Sequence, residues 1–204
     1  MFKLFKKKDP IVELWNWFEA NRTLYENMPD AELGENLDVL YQRVIAISPG
    51  LAVEMSRMND GVRDLVISAN GDVSLFPTVE ATVAAAPKFE RWTVTAFRPR
   101  IPETSVLKAD NLELDMKKMF FVTAGDDGEL EVHIFVEDIK DNDPRQVFAM
   151  GMIIIDNLLG EYDSATKVKA YGFHDLEEAH EDWSLTPLIK LPETVDAFHQ
   201  RSNN

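Results

Sequence analysis

Reactive side chains are densest between residues 174 and 182. This run sets His174 and His180 among five carboxylates, Asp175, Glu177, Glu178, Glu181 and Asp182. Imidazole and carboxylate are common ligands of transition metals, so a metal site on His174 and His180 is one reading of the run. The spacing argues against it. Ligands four apart share a helical face, whereas residues six apart face opposite ways, so a loop would have to fold the two rings together. A solvated acidic surface that meets a partner is the preferred reading, and it makes the five carboxylates partner-binding residues. The remaining imidazoles are His133 and His199. His133 alternates with Val132 and Ile134, which puts it on the opposite strand face as a structural or solvent-facing residue.

Against this acidic background one basic cluster stands apart. Lys88 and Arg91 precede an extended run, and Arg98 and Arg100 follow it. Two residues apart in an extended chain, Arg98 and Arg100 point to the same side and can clasp a carboxylate or phosphate between their guanidinium groups. Ser68 and Asn70 join this candidate ligand-binding set. The competing reading is that the arginines pair with the chain's own surplus of acids. Trp15, Trp17 and Phe18 form an aromatic concentration. Trp15 and Phe18 fit a core-facing helical stripe, while Trp17 points elsewhere and reads either as partly buried beneath a loop or as the candidate aromatic anchor for a partner.

Several chemistries are missing. The chain has no cysteine, so thiolate catalysis, cysteine-ligated zinc and disulfides are excluded. It contains no G-x-G-x-x-G, Walker loop or G-x-S-x-G elbow, and no cofactor is called for. The run 138–143 lacks the alternation of a calcium loop, and helix capping accounts better for Asp143.

Charge points to the kind of partner. With 21 basic and 36 acidic side chains among 204 residues, the net charge is −15. Residues 1–100 hold 12 basic and 14 acidic groups, whereas residues 101–204 hold 9 and 22, so the excess belongs to the second half. Such a surface repels nucleic acid; the excess reads as a device for solubility or as a face for a basic protein partner. The basic start, with Lys3, Lys6, Lys7 and Lys8, reads as a flexible solvated segment over residues 1–9, with weak contact to an anionic membrane surface as the lesser reading. It lacks the apolar core of a secretory signal, so a cytoplasmic location is expected. The apolar run 147–155 is half the ~20 residues that a membrane span needs.

The elements that must position these groups follow from caps and periodicity. Asp9-Pro10 and Asp143-Pro144 each read as an N-cap followed by a first-turn proline, opening helices from 10 and from 144 to about 159. A further helix runs from about 30 to Ser48-Pro49-Gly50. Strands are predicted over 51–57 and 62–69 around the turn Asn59-Asp60-Gly61, then a helix over 78–86 and a strand over 92–98. The second half repeats this order, with strands over 118–124 and 129–137 around a loop at 125–128, the helix from 144, and a strand over 167–174. A last helix covers 188–201. The fold class is therefore α+β, with antiparallel sheets from two ββαβ units (51–98 and 118–174), helices packed on one face, and additional N- and C-terminal helices. Residues 10–204 form one domain or two such subdomains joined by the segment 99–115, which reads as a linker.

The stretches 65–71, Phe76-Pro77-Thr78-Val79 and 84–88, then Trp92, 96–100 and 159–163, resemble a family of bacterial cytosolic proteins with no assigned function. The resemblance covers about half the chain and implies a shared α+β fold. It carries over no catalytic residue, and it weights Ser68, Asn70, Arg98 and Arg100 as site candidates. A non-enzymatic interaction module of inhibitor, immunity or adaptor type is thus the preferred function. The alternative is a small-molecule-binding protein or enzyme that holds an anionic ligand on Arg98 and Arg100.

Overall fold

A computed structural model describes residues 8–101, 103, 106–125 and 129–202. The basic start, apart from Lys8, and most of the loop expected at 125–128 lie outside the described residues. The chain divides into two compact units, Met1–Arg98 and Pro99–Asn204.

In the first unit, helix α1 (Pro10–Glu26) starts where Asp9 accepts a hydrogen bond from the Ile11 N–H at 2.9 Å. Leu14, Trp15, Phe18 and Tyr25 recur at helical spacing and are buried. The helix expected from residue 30 is broken into a 3-10 turn, a short α2 (Leu33–Asn36) and α3 (Asp38–Ile45), whose Leu40 and Val44 enter the core. Strands β1 (Ala52–Met55) and β2 (Arg63–Ser68) pair antiparallel. Asp60 and Gly61 between them take φ of 48° and 80°, as a tight hairpin turn demands. Helix α4 (Phe76–Ala84) starts two residues earlier than expected and returns the chain to β3 (Trp92–Ala96). Trp15 Nε1 donates to the Thr82 carbonyl at 2.8 Å and ties α1 to α4, and the Phe18 ring meets Trp92 edge-on at 4.9 Å. Burying each such aromatic is worth about 1.5–3 kcal/mol, so this cluster is the main adhesive of the unit.

The second unit opens with a correction. The segment expected to be a linker contains a β-hairpin, β4 (Val106–Ala109) and β5 (Leu112–Asp115). Asp110, with φ of 52°, makes the turn in place of a glycine. Strands β6 (Phe120–Ala124) and β7 (Glu131–Val136) follow, then α5 (Pro144–Leu159), capped by Asp143 as expected. Helix α6 (Glu161–Thr166), strand β8 (Ala170–Asp175), the two-residue β9 (Thr186–Pro187) and helix α7 (Leu191–Ser202) complete the unit. Val132, Ile134 and Val136 of β7 pack with Ile154, Ile155 and Leu158 of α5 and Val195 of α7 in one core.

The α+β class and the two ββαβ units are as expected. Each unit has its own sheet, ordered β1-β2-β3 in the first and β8-β7-β6-β9 in the second. The hairpins are antiparallel, but the strand after the helix is parallel to its neighbour in both, β3 on β2 and β8 on β7. The antiparallel expectation thus covers the hairpins and not the crossover strands. A helix of 9 or 16 residues between strands carries the chain back to the end where it started, which forces the parallel sense.

Candidate functional site

The two arginines of the expected anion clasp are each engaged within their own unit. In the first, Arg98 Nε donates to Glu54 Oε1 at 2.5 Å and Nη2 to Asn70 Oδ1 at 2.8 Å. Asn70, at φ of 52°, also donates to the Gly50 carbonyl, and buried Ser68 uses its Oγ to accept from the Asn70 N–H. Ser68, Asn70 and Arg98 therefore do come together, as a set closed on Glu54 and the backbone. Arg91 lies before β3, donating to the Gly61 carbonyl and pairing with Glu26 at 3.8 Å, and Lys88 is exposed in the preceding loop. Burial acts to raise the Glu26 carboxyl, but hydrogen bonds from Trp92 and Arg22 and the charges of Arg22 and Arg91 outweigh it and hold it below the ordinary range.

In the second unit Arg100 makes four hydrogen bonds to three residues. Its Nε donates to the Leu159 carbonyl at 3.0 Å, Nη1 to Asp196 at 2.8 Å, and Nη2 to Asp163 at 2.5 Å and Asp196 at 2.8 Å. This grip, led by the Arg100 hydrogen bonds, lowers the Asp196 carboxyl to about 2. Trp17 is likewise occupied. Arg43 lies over its ring at 4.5 Å and Tyr25 meets its edge at 6.4 Å, so it is half-buried intramolecular packing and not a free anchor.

The acidic run separates into one fastener and an exposed rim. Asp175 is buried and accepts from the backbone N–H groups of Ile139, Lys140 and Glu177 at 2.9, 3.2 and 3.0 Å. The Glu177 N–H, more than the other two, holds its carboxyl below the ordinary range against the effect of burial. Asp175 is thus a cap that pins the turn after β8, and the partner-binding reading of that residue is withdrawn. Glu177, Glu178, Glu181 and Asp182 are exposed. Lys140 reaches Glu177 at 2.8 Å, His174 lies 3.7 Å from Glu178, and His180 lies 3.5 Å from Asp182. His174 turns its other nitrogen to His133, and His180 packs on Trp183, so the pair weighed as a metal site is engaged elsewhere. Among the described residues no group of three or more histidine, aspartate or glutamate side chains is arranged around a common metal position.

Beside Glu178 opens a cleft of about 340 Å³. Ile139, Val147, Phe148 and Phe173 give it an apolar floor, and Lys140 and Asn142 stand at its polar side. Phe148 is 46% exposed and meets the Phe173 ring edge-on at 5.7 Å. Gly151 makes that arrangement feasible, because a Cβ there would lie 2.2 Å from the Phe173 ring. Asn142 Oδ1 is buried and has no hydrogen-bond partner. After the acidic residues comes Trp183, 49% exposed, with its ring edge-on to Phe135 at 5.6 Å. Phe148, Phe173 and Trp183 were not singled out by sequence reasoning. The readable signal was a tryptophan directly after the acidic run 175–182, together with a glycine in mid-helix that gives up helix propensity for close packing.

No family model, curated protein or solved structure matches this chain. Among the described residues no helix is long and apolar enough to cross a membrane.

Proposed function

We propose that the chain is a non-enzymatic interaction module of inhibitor, immunity or adaptor type, acting in a bacterial cytoplasm, and that its second unit receives a basic segment of a partner protein. The observation that carries this reading is the open Phe148–Phe173 cleft beside exposed Glu177 and Glu178, with the acidic run continuing past it to half-exposed Trp183. A lysine or arginine has an apolar stem and a cationic head. The stem suits an aromatic floor, and the head suits a carboxylate rim. An indole beside that rim adds a surface for a second cation or an apolar residue. The acidic excess of residues 101–204 supplies the long-range attraction that speeds such encounters.

The test is titration with a short synthetic peptide alternating lysine and phenylalanine, against the same peptide with glutamate in place of lysine. Only the basic peptide should bind, and raising salt from about 50 to about 300 mM should weaken it at least about tenfold. Phe148→Ser should cost a similar factor, as should joint Glu177→Gln, Glu178→Gln, Glu181→Gln and Asp182→Asn, with melting temperatures unchanged. Binding that ignores both variants would refute the proposal.

A further inference from the structure

On β7 and β8 the residues opposite the core face are His133 and Phe135 on one strand and Gly172 and His174 on the other, with His133 in register with Gly172 and Phe135 with His174. This register brings His133 Nδ1 to 3.1 Å from His174 Nε2. The Phe135 ring stacks on His174 at 5.3 Å and 26°, which fixes the plane of that imidazole. Glu178 Oε2 lies 3.7 Å from His174 Nδ1, on the far side of the ring from His133. The tautomer that carries the His174 proton on Nδ1, on the Glu178 side, leaves the Nε2 lone pair on the side of His133. The pair is open to solvent, the His174 side chain being 33% exposed.

From this geometry we infer that His133 and His174 form a two-histidine chelate for a divalent transition-metal ion, copper(II) foremost. A metal bonds imidazole nitrogen at about 2.0–2.1 Å, and two nitrogens 3.1 Å apart then subtend about 95–102° at the ion, between the square-planar and tetrahedral angles. Gly172 supplies the room. A Cβ there would stand 2.7 Å from His174 Nε2 and 3.1 Å from His133 Nδ1, so the two nitrogens converge over a spot that only glycine leaves open. Glu178, 3.7 Å from His174 Nδ1, stands on the side from which the outer carboxylate of a carboxylate–histidine–metal triad would approach. No third protein ligand joins them among the described residues, so the remaining positions of the ion belong to water or to an incoming ligand. Imidazole donors and the stability order of divalent ions put copper(II) ahead of nickel(II) and zinc(II). The site needs no partner and its two nitrogens lie on the face of β8 opposite the cleft, but it shares Glu178 with the docking rim, so the histidine variants and not Glu178→Gln separate the two proposals.

The test titrates the full chain with copper(II) chloride in a non-coordinating buffer, followed by calorimetry and electron paramagnetic resonance. One ion per chain should bind, with hyperfine coupling from two nitrogens. His133→Asn, His174→Asn and Gly172→Ala should each weaken binding at least about tenfold, and Glu178→Gln about tenfold. His180→Asn and His199→Asn should leave it unchanged, and nickel(II) and zinc(II) should bind more weakly than copper(II). Circular-dichroism melts establish that the variants fold, and His133→Gln, which keeps a hydrogen bond to His174, replaces any asparagine variant that does not. Copper uptake that survives loss of both histidines, or that follows His180 or His199, overturns the inference, as does absence of two-nitrogen coupling.

Discussion

Arg100 offers the most exacting test of the reading that the chain's arginines serve its own architecture. Replacing it by methionine keeps much of the apolar stem and removes the donors to Leu159, Asp163 and Asp196. Charge-assisted hydrogen bonds are worth about 1.5–3 kcal/mol when shielded, but Arg100 is 35% and Asp196 36% exposed, which cuts the two carboxylate contacts to about 1–2 kcal/mol together. Lys167, 3.0 Å from Asp163 and 3.4 Å from Asp196, compensates part of the loss. The abandoned Leu159 carbonyl at the end of α5 adds about 1 kcal/mol. The sum is about 2–3 kcal/mol before the Lys167 compensation, which brings it toward the lower figure. A unit of this size loses about 4–8 °C per kcal/mol, so a calorimetric melt at pH 7 should fall by roughly 10–20 °C. The sign of the pH dependence is fixed. Asp196 is lowered from 3.8 to about 2 in the folded chain, so its contribution is full above 3.8 and is lost as the pH falls toward 2. Arg100→Met removes the larger part of that contribution, Lys167 keeping the rest, and the gap between the wild-type and variant melts should narrow below pH 4. A drop under about 3 °C at pH 7, or a gap that stays constant down to pH 2, would refute the reasoning and free Arg100 to be a ligand-binding residue.

Two further predictions concern the turn and the cleft. Asp175→Ala strips the acceptor from three backbone N–H groups and should cost about 2–4 kcal/mol in urea denaturation at pH 7. Because the Asp175 carboxyl is lowered from 3.8 on folding, that stabilisation is present above 3.8 and fades in more acid solution, so the variant should show a flatter acid profile than the wild type. Gly151→Ala should destabilise by about 1–3 kcal/mol, since the new methyl group collides with the Phe173 ring, and Phe173→Leu in the same chain should recover part of the loss. Purely additive denaturation midpoints would show that the ring does not rest on Gly151.

Local signals made much of the fold legible. The Asp-Pro pairs at 9–10 and 143–144 open α1 and α5 by satisfying N–H groups that any helix start leaves free, and the Asn59-Asp60-Gly61 turn follows from backbone angles that few residues accept. The β4–β5 hairpin escaped because its strands are only four residues long, so the alternation in Leu112–Asp115 is too short to stand out, its turn uses Asp110 where glycine would have been read, and the prolines at 99 and 102 suggest a loop. Of the candidate site, the acidic rim was legible as a run of charge, but the roles within it were not. Asp175 looks like its neighbours in sequence and differs only in receiving N–H groups from residues 139 and 140. The convergence of His133 on His174 spans 41 residues and depends on β8 lying parallel to β7, which an antiparallel expectation misplaces. Arg100 meets Asp196 across 96 residues, so the clasp inferred from local spacing had no means of registering a distant carboxylate.

The two units put one topology to different uses. In each, a hairpin is followed by a helix and then a strand parallel to the second, β1-β2-α4-β3 in the first and β6-β7-α5-β8 in the second. The central strand of the first is buried along Leu65, Val66, Ile67 and Ser68, so both its faces are covered and little remains to meet a ligand. The central strand of the second turns Val132, Ile134 and Val136 into the core and leaves His133 half-buried on the other face. Parallel pairing then sets His174 of β8 beside that face and Phe173, its neighbour in sequence, beside the cleft on the other. A two-residue repeat thus sends adjacent residues to opposite surfaces, and the one strand β8 serves both candidate sites. The turn that follows it carries the exposed acids, with Asp175 holding it in place. The acidic run and the two candidate surfaces therefore coincide in the second unit because they issue from the same strand and the same turn, whereas in the first the comparable positions are closed by Glu54, Asn70 and Arg98.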